Sequence, residues 1–138
     1  MIYPGHDPHP LHPPGWAPPR GYTDGVLANG RLIVLSGQVG WNPATNEFES
    51  DDFAEQTAQA LRNVVALLDV AGATPRQLVR LTWYVTDRLT YNAARRDIGR
   101  HWREIMGPHY PPMSVVIVAG LVEERALVEI EAMAVLPA

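Results

Sequence analysis

With 138 residues, net charge −4, 46 % hydrophobic and 19 % charged side chains, the chain is sized for one core, and its acidic balance offers little to a phosphate backbone, so nucleic acid is not an expected partner. The absence of cysteine excludes disulfides, thiolate nucleophiles and sulfur metal sites. No apolar run nears the roughly 20 residues of a membrane span and no basic-then-apolar leader opens the chain, so a cytoplasmic protein without a membrane partner is expected.

Residues 1–20 form an arm of their own composition, in which Pro4, Pro8, Pro10, Pro13, Pro14, Pro18 and Pro19 alternate with His6, His9, His12 and Trp16. A polyproline II path, repeating about every three residues, would align the three histidines along one edge. A weak metal site is one reading of that edge. No acidic or sulfur ligand completes it and no rigid scaffold holds it, so a flexible or surface-draped arm is expected, with no metal and no cofactor.

Residues 21–138 read as one domain. Gly25 to Ala28 and Arg31 to Ser36 flank Asn29-Gly30, the dipeptide suited to the two positive φ angles of a type I′ turn, which predicts a β-hairpin. Asp52 with Glu55 opens a helix whose stripe is Phe53, Thr57, Leu61, Val64 and Leu68, and Gly72 stops it. Leu78 to Asp87 alternates as a strand, with Val79, Leu81, Trp83 and Val85 on one face, parallel to an earlier strand by crossover. Tyr91, Ala94, Ile98, Trp102 and Ile105 mark a second amphipathic helix ending at Gly107-Pro108. Ser114 to Ala119 and Ala126 to Val135 supply two more strands. The order is ββαβαββ, an α+β domain with one mixed sheet and two helices on one face.

Two helices cover only one face of a sheet, yet Leu32 to Leu35 and Val115 to Val118 are apolar on both faces. The last strand sets Val128, Ile130, Ala132 and Ala134 against Leu127, Glu129, Glu131, Met133 and Val135. A second face this apolar predicts a symmetric self-assembly that buries it.

Three blocks, Ser36-Gly37-Gln38, Tyr110-Pro111-Pro112-Met113-Ser114 and Val128-Glu129-Ile130-Glu131-Ala132, resemble the RidA/YjgF (reactive intermediate deaminase) family, in order and nearly without gaps from about Tyr22 to Val135. The resemblance implies a chorismate-mutase-like fold and a homotrimer with ligand clefts between subunits. It implies a pocket lined by Tyr22, Ser36, Gly37, Met113, Val115 and Glu129. Glu129 would position or activate a water for attack on an imine carbon, releasing ammonia.

The chain departs from that family at Met113, where the family keeps an arginine that clamps the carboxylate of an imine or enamine made from an amino acid. Methionine has no charge and at most a weak acceptor sulfur. Three readings follow. The pocket, made more apolar by Val115 and Trp41, takes a less acidic imine, enamine or aromatic ligand; or Arg95, on the stripe between Tyr91 and Ile98, supplies the clamp instead of snorkelling to solvent; or the trimer only binds ligand. The expected function is therefore a small-molecule hydrolase of the enamine/imine deaminase type with altered substrate range, the alternative being a non-catalytic ligand-binding trimer. Glu131 is read either as the second carboxylate of a pair or as an inter-subunit ion-pair partner, and His101 and His109 as structural. No phosphate loop, His-Glu-x-x-His pattern or Ser-His-Asp ordering occurs.

Overall fold

The computed structural model describes residues 8–20 and 23–138. In chain order these form β1 (His9–Leu11), β2 (Gly25–Leu27), β3 (Arg31–Val39), α1 (Phe53–Val70), β4 (Leu78–Val85), α2 (Arg88–Ala93), α3 (Arg95–Met106), β5 (Met113–Ile117) and β6 (Val128–Leu136). The main sheet has the order β3-β6-β4-β5. Both β3 and β4 run antiparallel to β6, so they are parallel to each other with the last strand inserted between them, and β5 joins β4 in parallel. The architecture is the expected α+β fold, a mixed sheet with helices on one face.

Helix α1 begins where Asp52 accepts the Glu55 N–H at 3.0 Å and stops before Gly72 at φ 76°, as capping chemistry dictates. Its predicted stripe is buried throughout and packs on Leu81, Trp83 and Val85 of β4, on Val128 and Ile130 of β6, and on Ile98, Trp102 and Met106 of α3. Each of the larger apolar side chains contributes about 1.5–3 kcal/mol by leaving water.

Four local expectations are corrected. The hairpin at Asn29-Gly30 does not form: β2 pairs with β1 in a separate ribbon, while β3 pairs with β6. Only Gly30 has positive φ there, and a Cβ on it would lie 2.1 Å from the Leu136 carbonyl oxygen, so this glycine serves a close strand contact rather than a type I′ turn. Residues 9–11 of the arm are accordingly a β-strand and not polyproline II; His6 lies outside the described residues. The second helix is two, because the Ala94 N–H is shared between the Thr90 and Tyr91 carbonyls at 3.1 Å each and the residue leaves helical geometry. In β4 an irregularity between Leu78 and Arg80 sets Leu78, not Val79, among the buried residues.

The face away from the helices is open in the protomer. Leu32 and Val34 are 59 % and 66 % exposed; paired with Val135 and Met133 across the β3–β6 ladder, they form the apolar surface that the strand pattern predicted. Among the described residues no helix is long and apolar enough to cross a membrane.

Candidate active site

The Ser36-Gly37 step is a β-bulge. Leu35 pairs with Ala132 and Gln38 with Ile130, so β3 carries one residue more than β6 at this point, a device that bends a strand and re-aims its side chains. The space that Gly37 leaves is filled by Glu129: a Cβ on Gly37 would meet the Glu129 Cγ and Cδ at 2.8 Å and Oε1 at 2.9 Å.

Helix α1 holds this corner in place through two buried amides that break its apolar pattern. Asn63 donates to the carbonyls of Val39 and Trp41 at 3.2 and 3.0 Å. Gln56 donates to the Ser50 and Arg125 carbonyls at 3.0 Å each and accepts the Leu127 N–H at 2.9 Å. A Cβ on Gly40 would lie 2.3 Å from the Gln56 carbonyl oxygen, so the chain leaves β3 flush against the helix. The strand ends that flank Glu129 are thus fixed by backbone contacts, with buried polar groups paired as burial requires.

On the same open face Tyr84 stands opposite Glu129 and its hydroxyl donates to Glu131 Oε1 at 2.6 Å. That hydrogen bond, then partial burial and the charges of Glu131 and Glu129, raise the Tyr84 pKa above 10.0, with Arg80 opposing. Glu131 therefore has a partner within the protomer.

Met113 and Val115 lie on the other face. They pair with Leu81 and Trp83 of β4, whose side chains are buried under the helices. With Arg95 they line a cavity of about 510 Å³ between α3 and the sheet edge, bordered also by Arg20, Trp83, Tyr91, Trp102, Arg103 and Tyr110. Arg95 is exposed, its guanidinium carbon 5.4 Å from the Tyr91 ring centroid. Trp41 is not part of this wall: it packs on Phe48, with ring centroids 5.8 Å apart, because the 41–48 turn folds back through the Asn42–Glu47 bridge. Tyr22 lies outside the described residues.

The candidate residues thus form two groups, Ser36, Gly37 and Glu129 on the open face and Arg95, Met113 and Val115 on the helix face. The aromatic wall of Trp83, Trp102 and Tyr110 was not anticipated, although Trp102 lies on the predicted helix stripe next to Arg103; Arg20, at the end of the arm, had no local signal. His101 is buried with Nε2 3.5 Å from Glu55 Oε1, and His109 Nε2 lies 3.1 Å from the Leu78 carbonyl oxygen, both in structural settings. A second cavity of about 570 Å³ is edged by Asp51, Asp52, Asp87 and Asp97. Asp52 and Asp87 there cap helices and Asp51 pairs with Arg125 at 2.8 Å.

Residues 15–136 match the family described as Endoribonuclease L-PSP. A RutC family protein of Haemophilus influenzae is 40 % identical over 106 residues, 77 % of this chain and 80 % of that one. Human 2-iminobutanoate/2-iminopropanoate deaminase is 30 % identical over 114 residues, 83 % of this chain and 79 % of its own length. The crystal structure of YyfB, a Rid family protein of Yersinia pestis, aligns with a TM-score of 0.83 at 32 % identity, covering 95 % of this chain and all of that one.

Proposed function

The chain belongs to the Endoribonuclease L-PSP family, the RidA/YjgF group, and from that premise we propose that it is a small-molecule hydrolase of the enamine/imine deaminase type, working at clefts between the subunits of a homotrimer. The observation that carries this reading is the division of the candidate residues between two faces of one sheet. Glu129, at the Ser36-Gly37 bulge, and the cavity lined by Met113 and Val115 are separated by the sheet in a single protomer. A site that uses both needs a second copy, whose Glu129 comes over the cavity of its neighbour. The apolar half of the open face, with Leu32 and Val34 exposed, supports such an assembly.

In that cleft the Glu129 carboxylate orients and deprotonates a water that attacks the imine carbon, and the carbon–nitrogen bond breaks to release ammonia. Water and a carboxylate suffice for this reaction without a cofactor. The human relative carries the name of an imine deaminase. The family description names an endoribonuclease, which a chain of net charge −4 does little to support. Met113 favours one second reading, a trimer that binds small ligands without turnover, because the residue standing at the family's arginine position cannot hold a carboxylate.

Glu129→Gln decides between the two. In a hydrolase it keeps assembly and ligand affinity but lowers turnover of imines generated in situ by about a hundredfold or more, the usual weight of a positioned general base. Unchanged turnover in an active wild-type background refutes the role of Glu129. A wild type with no turnover across aliphatic and aromatic imines refutes the hydrolase.

A further inference from the structure

Within one protomer the cavity on the helix side of the sheet gathers positive charge with no carboxylate in its wall. Among the described residues Arg20, Arg95 and Arg103 border it and no aspartate or glutamate does, in a chain whose net charge is −4. Among the described residues none of the three makes an ion pair, whereas Arg100 and Arg125 do. Uncompensated guanidinium groups converging on one cavity form a site for a planar anion, because the guanidinium fork matches a carboxylate in shape as well as charge.

The rest of the wall is aromatic. Trp83 and Trp102 stack at 6.3 Å and 28°, and Trp102 and Tyr110 at 6.1 Å and 18°, a nearly parallel set of rings suited to a flat group. Among the described residues the indole N–H of Trp83, a wall residue only 3 % exposed, has no hydrogen-bond partner, so the wall holds a buried donor without an acceptor. Gly99 leaves the cavity wall open beside the charge: a Cβ there would be in ordinary contact, 3.4 Å, with the Arg103 Nη1, and a larger side chain would enter the cavity.

We infer that this cavity binds the carboxylate of a ligand bearing an aromatic ring, with Arg95 and Arg103 of α3 supplying the charge that Met113 of β5 does not. Resting on the deaminase reading, the inference names the substrate class as 2-imino acids with an aromatic side chain. In the reaction the water oxygen forms the new carbonyl bond, the carbon–nitrogen double bond breaks, and the nitrogen leaves as ammonia carrying both water protons. The product is an aromatic 2-keto acid that retains its carboxylate. Small aliphatic imino acids satisfy the guanidinium groups but leave the aromatic wall unfilled, and uncharged imines do the reverse.

The test titrates the full-length protein with benzoate and phenylpyruvate, followed by tryptophan fluorescence and calorimetry, with acetate and benzyl alcohol as controls. Benzoate is expected to saturate, with both controls binding about tenfold more weakly or worse, and Arg95→Gln or Arg103→Gln to weaken benzoate by about ten- to a hundredfold, the worth of a charge-assisted contact. Gly99→Leu, which fills the space without altering charge, is expected to abolish binding and does not depend on how the arginine variants fold. No saturable benzoate binding, benzyl alcohol binding as tightly as benzoate, or indifference to these substitutions overturns the inference. Benzoate is not hydrolysed, so the two readings fail separately: binding without turnover of any imine refutes the deaminase and keeps the cavity assignment, whereas turnover of aliphatic imines without benzoate binding does the opposite.

Discussion

Replacing Gly37 by alanine separates the position of the Glu129 carboxylate from the stability of the fold. The new Cβ would stand 2.8 Å from the Cγ and Cδ of Glu129, against about 3.5–4.0 Å for carbon atoms in favourable contact. The carboxylate must therefore retreat by about 1 Å. Its stem is flexible and half-buried, so the retreat is cheap. Gly37 does not have positive φ, so alanine fits the backbone and narrows the unfolded ensemble, a gain of about 0.4–1 kcal/mol that offsets the crowding. Stability should change by less than about 1 kcal/mol. Catalysis should not be spared, since a misplacement of about 1 Å in a reacting group can cost about a hundredfold. Thermal unfolding and kcat/KM, measured on imines generated in situ, read the two effects side by side. Wild-type kcat/KM in a folded Gly37→Ala protein would refute the argument that the bulge exists to seat Glu129. A collapse in melting temperature would refute the claim that only a side chain has to move.

Two further outcomes are expected. Val34→Asp places a charge where the protomer is 66 % exposed, so an isolated subunit tolerates it. If the open face is an assembly interface, the buried, unpaired charge costs about 3–5 kcal/mol, and sedimentation should show folded protomers; an unchanged trimer, or a wild type that is already monomeric, refutes the assignment of this face. Tyr84 has a pKa raised above 10.0 by its hydrogen bond to Glu131, so the folded state holds that proton more tightly than the unfolded chain. Its stabilising contribution is complete below about pH 10 and is lost as pH rises through the higher folded-state value. Phenolate absorbance should show one tyrosine titrating late in the wild type and earlier in Glu131→Gln, where burial and the Glu129 charge alone still raise it; identical titration curves refute the coupling.

The amino-acid sequence determined those features that depend on short range. The stripe of α1 and its Asp52 cap were legible because hydrophobic period and capping chemistry act within a turn of helix. Alternation marked Val128, Ile130, Ala132 and Ala134 as the core face of the last strand, and all four are buried. The two-sided apolar strands announced an open face because a count of helices against sheet faces needs no coordinates. What only tertiary structure decided depends on contacts between distant residues. Asn29-Gly30 has the composition of a hairpin turn, yet the backbone of Leu136, more than 100 residues later, set what Gly30 does. Gln56 and Asn63 look like polar interruptions of α1 until the carbonyls of Ser50, Arg125, Val39 and Trp41 appear beside them. Arg20 and Arg103 are ordinary surface arginines in sequence, and tertiary packing brings Arg20 of the arm and Arg103 of α3 to one cavity with Arg95. Side-chain alternation orders faces only within a strand, and it is the pairing of β4 with β5 and β6 that sets Glu129 and Met113 on opposite faces of one sheet. Local propensity is read along the chain; the meeting of charges, glycines and carbonyls from separate strands is set by long-range packing, which the order of residues does not display.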